Sequence, residues 1–442
     1  MDLTAVEALA PAPTGATVRK CWVPGRVTLL GEHLDYNGLP VLAMPVDRGL
    51  NVSWAPAEDD GLTLRSADPA FAPASFRHPA KTAPEIDGWG RYVALAAAQL
   101  RQKLRCKQAR GFHLQVQGDL PPAAGLASSS ALTVAAGLAW LSVQGLALDR
   151  DVERAELAEW LAEAERGVGT EGGCMDHATL LLGTPGCASK IDFIPLRAEP
   201  VPLPDGYCVV VSHSLVHADK GGAEQERYNE GPRIGKILCA LIERKLQEEF
   251  EDPDLELECI GDLWFGPLCM TLAEVEALCD RAIERERYSP REIRDRLGDS
   301  RPDLSRLISQ MQAPAGGFPL RARLRHQISE FRRVEAGRDA LLIGDVEQFG
   351  ALMNASHTSC AEDCGVSCPE LDTLTALARE AGALGSRLTG AGFGGATVSL
   401  VREADIAGFQ AALASSYYAG RLESGAGLPV FPVRPGESAR YL

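Results

Sequence analysis

Behind an apolar run that ends in Val27, Leu29 and Leu30, the chain places Glu32, His33 and Asp35, with Arg26 inside the run and Gly25, Gly31 and Gly38 spaced around it. The run predicts the end of a buried strand. Gly31 lets the backbone turn sharply there, so that the two carboxylates and the imidazole face one pocket. Such a group can grip a polyol, and Arg26 adds a permanent cation suited to a phosphate or a developing anion. Taken alone, the segment also reads as an ordinary strand-to-loop junction with solvated charges.

Two glycine-bearing loops extend this chemistry. Pro121 to Ala131 contains Gly125, Leu126 and then Ser128, Ser129 and Ser130 in succession, and it leads into a helix predicted over 131–146. Backbone N–H groups and hydroxyls at a helix start favour a phosphate, and a serine can join the shell of a magnesium ion that bridges phosphates. A plain serine N-cap is the alternative. No Walker-type loop occurs in the chain. Gly390 to Gly395 has the spacing of a dinucleotide fingerprint, but Ala396 to Val401 alternates as a strand where that fingerprint needs a helix. The loop therefore either lets backbone approach a ligand or another loop closely, or is a tight strand connection.

Periodicity supplies the elements that hold these segments. A loose Pro- and Ala-rich lead covers 1–16, and strands are predicted around 17–30 and 40–54. Helical spacing over 87–104 puts Trp89, Tyr92 and Leu95 on one side, 111–117 alternates as a strand, and an amphipathic helix fills 151–166. The helix over 131–146 is apolar nearly all round, which places it centrally. Strands follow near 190–195 and 206–212. From about 234 to 330 the sequence turns charged and helix-forming. There Thr271 with Glu274 and Ser289 with Glu292 make capping boxes, and Pro290 sits at the first helical position. The acidic stretch 248–258 reads as a solvated loop or helix end. Helical pattern returns over 320–356 and 369–383, and 386–401 reads as strand, glycine loop, strand.

At 442 residues and 45% hydrophobic content the chain fits two globular domains of ordinary size. It has no apolar run of membrane-spanning length, and the N-terminus carries Asp2 and Glu7 where a secretory signal would be basic and then apolar, so a cytoplasmic location is expected. A formal charge of -16 argues against nucleic-acid or anionic-membrane partners, so an anionic substrate needs local donors. The twelve cysteines are expected to be reduced thiols. His357, Cys360, Cys364 and Cys368 would share one face of a helix, but their spacing fits no common zinc pattern. Gly365, Ser367 and Pro369 also interrupt that helix, so buried thiols are the preferred reading.

Together, the three segments resemble the three motifs of the GHMP small-molecule kinases, and within that group the galactokinase family. Pro24 to Gly38 is similar to the signature GRxNLIGEHTDYNGG, Ala124 to Leu132 to the phosphate loop GLSSSAA, and Arg387 to Val398 to the third motif. Trp89 with Tyr92, Gly173 with Met175 and Asp176, Tyr228 with Asn229, the run Val366 to Asp372, and Pro435 with Gly436 agree as well. The resemblance spans nearly the whole chain, residues 240–318 being longer and less recognisable than in a typical member.

The resemblance implies an α/β, more fully α+β, two-domain GHMP kinase fold. A ribosomal-S5-domain-2-like N-terminal domain would cover 1–205. A ferredoxin-like α/β C-terminal domain would cover 206–442, with a long helical insertion at about 240–318 and the active site in the cleft between the domains. It implies transfer of the γ-phosphoryl of MgATP to the anomeric hydroxyl of a sugar, galactose first. Asp176 takes the place of the catalytic base, which on its residues alone would read as a buried carboxylate bound to backbone amides, and Arg26 that of its cationic partner. Glu32, His33, Asp35, Gly173 and Tyr228 match the sugar-holding positions. Gly125, Leu126, Ser128, Ser129 and Ser130 match the phosphate-binding positions, with Ser129 the magnesium serine. Counting back from Asp176 for the metal-ligating glutamate lands on Ala164, between Glu163 and Glu165, and Glu165 is preferred. ATP and Mg2+ are thus the expected cofactors, and a monomer or weak homodimer the expected state.

Departures from the family pattern fall around the charged positions. Thr28 replaces Asn, Leu34 replaces Thr, Leu39 replaces Gly, Ala127 and Ala391 stand for Ser and Gly, His177 replaces Gln, and Arg233 is shifted from the family's Arg pair. They leave open a related substrate (N-acetylgalactosamine, L-arabinose or a uronic acid) and a non-catalytic galactose- and ATP-binding sensor. Glu32, placed near C6 in the family, would repel a uronic acid's carboxylate.

Overall fold

The structure, a computed structural model, describes residues 17–79, 86–120, 125–217, 222–298, 301–423 and 425–442. The predicted lead over 1–16 and the loop start Pro121 to Ala124 lie outside the described residues. Two sheets organise the rest. The larger contains β1 (Arg19–Leu30), β2 (Val41–Pro56), β3 (Gly61–Ser66), β4 (Ala74–Arg77), β5 (Phe112–Gly118), β6 (Cys187–Phe193) and β7 (Leu196–Pro202). The smaller contains β8 (Tyr207–His213), β9 (Gly385–Thr389), β10 (Ala396–Arg402) and β11 (Val430–Val433), while β12 (Arg440–Tyr441) returns to the larger. The large sheet runs β12-β1-β2-β5-β3-β4, with β6 pairing β2 and β7 pairing β6. The small one runs β11-β8-β10-β9. Apart from the parallel pair β3 and β5, neighbours are antiparallel. This is a mixed α/β architecture of two lobes.

The β1–β2 ladder sets Val27 opposite Met44, but its register breaks between Pro24 and Arg26 and again between Thr28 and Leu30. Such irregularities re-aim side chains, and these two flank the stretch that bears Arg26. At the first break a Cβ on Gly25 would lie 2.8 Å from the carbonyl oxygen of Leu126. Only a bare α-carbon lets strand and loop come close enough for the Arg26 N–H to donate to that carbonyl at 3.1 Å.

The central helix, Ser128–Val143, begins three residues before its apolar pattern, and every residue from Ser130 to Val143 is buried. It packs against the large sheet and against helices Gly90–Lys103 and Arg154–Arg166. The predicted strands around 17–30, 40–54, 111–117, 190–195 and 206–212 all form, within a few residues of their expected ends. The helical pattern over 320–356 divides into Leu320–Ile343 and Val346–Ser359. Gly344 closes the first in a left-handed conformation, and the Asp345 side chain caps the second. The strands β3, β4 and β7 and the helices Met175–Leu182 and Ile406–Ser415 carried no recognised signal. They are short, and β4 alternates only between half-buried and exposed positions.

Residues 234–328 bury an apolar core separate from the main one, in which Ile237, Leu278, Tyr288, Ile293, Phe318 and Leu324 meet. Helices Gly222–Phe250, Leu272–Ala282, Pro290–Leu297 and Pro302–Gln310 and the start of Leu320–Ile343 enclose it. Both capping boxes form, with Thr271 N donating to Glu274 at 2.7 Å and Ser289 N to Glu292 at 2.8 Å. In the acidic stretch Glu249 pairs with Arg281 at 2.8 Å. Leu278→Ala should lower stability by about 2–5 kcal/mol through the cavity it leaves, and Thr271→Ala by only about 1 kcal/mol. Urea unfolding of the two variants checks this ranking, and equal losses would contradict a packed core here.

Candidate active site

Arg26 and Asp176 meet across 150 residues of chain. Arg26 Nε and Nη2 each lie 2.7 Å from Asp176 Oδ1, and Nη1 donates to the carbonyl oxygen of Gly125. Asp176 stands in the first turn of helix Met175–Leu182, and its Oδ2 lies 3.4 Å from Ser130 Oγ. The guanidinium is therefore fixed between Asp176 and the serine loop. Around the pair opens a cleft of about 590 Å³, counting its open mouth, lined by Glu32, His33, Asp35, Tyr36, Ser130, Glu165, Gly173 and Tyr228 among others. The structure thus brings the predicted catalytic and sugar-facing residues to one cavity.

The turn after β1 supplies one wall. His33 has a positive φ of 63°, which turns its ring back so that Nε2 lies 3.1 Å from the carbonyl oxygen of Ala391 and Nδ1 3.0 Å from the Tyr36 hydroxyl. A carbonyl can only accept, so Nε2 carries the hydrogen and Nδ1 accepts from Tyr36. Burial lowers the His33 pKa to about 4, so the ring is neutral at neutral pH. Both ring nitrogens are spent on protein, and His33 offers a ligand a ring surface. Asp35 Oδ2 accepts the Met175 N–H at 3.0 Å, and burial raises its pKa. A Cβ on Gly173 would collide with this carboxylate, which explains the glycine. Glu32 Oε1 accepts the Gly390 N–H at 2.5 Å and sits 3.7 Å from Arg387 Nη1.

At the serine loop the structure corrects the capping alternative. The N-cap is Ala127 in a left-handed conformation, which contributes no side-chain cap, and Ser128, Ser129 and Ser130 are the first three residues of the helix. The first-turn N–H groups are thus not spent on a serine N-cap. Ser130 Oγ donates to Glu165 Oε2 at 2.8 Å, while Ser128 and Ser129 stay partly exposed. Glu165 is buried in the cleft wall, and His177 Nε2 lies 3.0 Å from it. Its rival Glu163 points outward to Lys103 at 2.7 Å. Gly390 packs on Gly125, and the glycine loop joins β9 to β10 with Gly392 against Val366 and Gly394 against Val216. Its close approach is to neighbouring loops as well as to the cleft.

Sequence reasoning missed the groups beneath this wall. Glu330, fully buried, accepts from Gly31 N at 2.8 Å, Ser356 Oγ at 2.5 Å and Arg333 Nε at 2.6 Å. His326 Nε2 sits 3.0 Å from the Glu32 carbonyl oxygen. Arg387, wholly buried, bonds the Thr28 carbonyl at 2.9 Å and Ser356 Oγ at 3.1 Å. A single charged residue in the otherwise uncharged stretch 386–401 was the available signal for Arg387. Of the cysteine group, Cys360 takes a contact from Arg387 Nη2 at 3.6 Å, and His357 Nδ1 accepts the Leu388 N–H at 3.3 Å. Among the described residues no three His, Cys, Asp or Glu side chains converge as a metal site. Arg233 is engaged by Glu171 and Glu226, both at 2.7 Å.

An acid, a guanidinium and a serine-started helix around a polyol-sized cleft, held between two α/β lobes, define a small-molecule kinase. Residues 91–184 match the family description "GHMP kinases N terminal domain", 338–419 "GHMP kinases C terminal", and 21–56 "Galactokinase galactose-binding signature". The galactokinase of Dictyostelium discoideum is 31% identical over 431 residues, covering 89% of this chain and 83% of that one. The galactokinase of Chloroflexus aggregans is 33% identical over 402 residues, covering 89% and 86%. Among solved structures, galactokinase of Lactococcus lactis complexed with galactose superimposes with a TM-score of 0.75 at 26% identity, covering 96% of this chain and 95% of that one. The chain belongs to the galactokinase family of the GHMP kinases.

Glu330 gives the site a measurable acid sensitivity. Burial alone would raise its pKa, but Arg333, Arg387 and His326 outweigh that and hold it at about 2, against 4.5 for a free glutamate. A depressed carboxylate stabilises the fold above its unfolded pKa and loses that contribution as pH falls from about 4.5 through about 2. Its size is about 3 kcal/mol. The stability gap between wild type and Glu330→Gln, read from urea midpoints, should therefore be widest above about pH 5 and narrow steadily below about pH 4.5.

Proposed function

We propose that this chain is an ATP-dependent sugar 1-kinase that transfers the γ-phosphoryl group of MgATP to the anomeric hydroxyl of galactose, giving galactose 1-phosphate and ADP. The observation that carries the reading is the Arg26–Asp176 pair in a cleft whose other polar walls are Glu32, Asp35 and Tyr228. Asp176 Oδ1 is held by Arg26, and Oδ2, at a long 3.4 Å from Ser130, is the oxygen left to receive a hydroxyl proton. As the sugar oxygen attacks the γ-phosphorus, its proton passes to Asp176 and the bond to the β-phosphate oxygen breaks. Arg26, already fixed, stabilises the developing charge without reorganising.

Glu32, Asp35 and Tyr228 are assigned the sugar hydroxyls. His33 forms a wall, and Gly173 leaves Asp35 its place. The phosphates are assigned to Gly125, Leu126, Ser128, Ser129 and Ser130 at the start of the central helix, where no side chain caps the first turn. Mg2+ fits this neighbourhood: the buried Glu165 carboxylate accepts from Ser130 Oγ at 2.8 Å, and the adjacent Ser129 stays partly exposed at the helix start, which makes a set of hard oxygen donors. Ser129 and Glu165 would hold it. When bound, the ion would offset phosphate charge at the start of the central helix. The large sheet draws on residues up to 202 and again on 440–441, while the small one begins at 207. That supports dividing the lobes near 205, with the cleft between them.

ADP release measured over a panel of free sugars tests the reading. Galactose should turn over, and Asp176→Asn should lower kcat by about a hundred- to ten-thousandfold while sugar binding persists. Unchanged turnover in that variant would remove Asp176 as the base. Galactose binding by wild type without ADP release would identify a sensor, and preference for N-acetylgalactosamine or L-arabinose would reassign the substrate.

A further inference from the structure

We infer that Arg387 is a positioning residue for the sugar site, fixing the Glu32 carboxylate through one of its oxygens so that the other is presented to the substrate. The inference rests on the reading of Glu32 as a sugar-hydroxyl acceptor. Arg387 lies on β9, 355 positions from Glu32 in the chain, and has no exposed surface. Nothing in the proposed phosphoryl transfer uses it. A permanently charged side chain is costly to bury, so its partners must be well placed. Each of its three nitrogens has one: Nη1 bonds the Thr28 carbonyl at 2.9 Å, Nε bonds Ser356 Oγ at 3.1 Å, and Nη2 touches Cys360 Sγ at 3.6 Å. These contacts fill the fork's geometry and leave Nη1 facing Glu32 Oε1 at 3.7 Å.

That same oxygen accepts the Gly390 N–H at 2.5 Å. Oε1 is thus held by a cation on one side and a backbone donor on the other, and both come from the β9 end and the loop that follows it. Glu32 has only two oxygens, so the one left toward the cleft is Oε2. The anchor extends one step further, because Ser356 Oγ hands its hydrogen to Glu330, and Glu330 also receives the Gly31 N–H. Gly31 and Glu32 are consecutive, so one buried network fixes both the backbone and the side chain of the turn. Burial by itself pushes Glu32 toward its neutral acid, and Arg387 is the largest influence opposing it. A protonated Glu32 could still donate to a hydroxyl but would lose its strength as an acceptor.

A set of monodeoxy-galactoses separates this role from mere structural support. Glu32→Gln weakens its acceptor, so the penalty for removing one particular sugar hydroxyl should shrink, giving a fingerprint across the set. Arg387→Lys should reproduce that fingerprint, with KM for galactose rising about ten- to a hundredfold and kcat changing less. Ser356→Ala, which keeps the cation but releases Nε, should show it in weaker form. An Arg387→Lys enzyme whose KM is unchanged, or rises equally for every deoxy sugar, overturns the inference. Should Arg387→Lys fail to fold, Ser356→Ala decides: wild-type discrimination in a stably folded Ser356→Ala enzyme also overturns it. A wild-type chain that does not phosphorylate galactose would instead remove the functional reading, which the same assay reports first.

Discussion

Arg26 is the point at which three distant stretches of chain become one site. Its backbone amide bonds Leu126, its Nη1 bonds Gly125, and its other two nitrogens hold Asp176. A guanidinium can do this because it presents several donors in a rigid plane, where an ammonium would offer a single flexible point. Holding it also constrains the scaffold. The ladder of β1 must break register on either side of Arg26, and position 25 can carry no side chain. The serine loop must then approach the strand backbone directly. The central helix, apolar on every face beyond its first turn, keeps that loop from drifting.

Local features were the legible ones. Both capping boxes in the inserted helices were read from residue pairs three apart, and both form, because a cap needs only its own turn. The strand, glycine loop and strand at 385–402 were also legible, since a helix never fitted the alternation after Gly395. Asp176 was different. On its residues alone it read best as a buried carboxylate satisfied by backbone, and only the family resemblance set it in the cleft. Its true partner is 150 positions away, and no local period records such a distance. Likewise, a run of serines before a helix suggests a serine cap, whereas the cap is Ala127. The loop leading to it packs at Gly125 against Thr389 and Gly390, which no window around residue 127 contains.

The inserted helices show the same contrast at a larger scale. Their individual spacing was plain, but that they enclose a core of their own depends on contacts between residues as far apart as Ile234 and Ile328. Leu320–Ile343 belongs to both worlds. Its first turns close the inserted core through Leu320 and Leu324, and its middle sends His326 and Glu330 beneath the turn that carries Glu32. This helix therefore couples a region peculiar in length to the wall of the cleft, as does Gly222–Phe250, which carries both Tyr228 and the core residue Ile237.

The short strand β12 places Arg440 and Tyr441 beside Trp22 and Cys21 on β1, while Arg154 and Leu180 clasp Ala439. During vectorial synthesis on a ribosome, the first-made lobe therefore waits for residues 439–441 before its edge is sealed. Until then the strand that bears Arg26 has an unzipped border, and that border closes only after every strand of the small sheet has been made. The two lobes can be drawn as separate bodies, but their folding histories are knotted together at that edge.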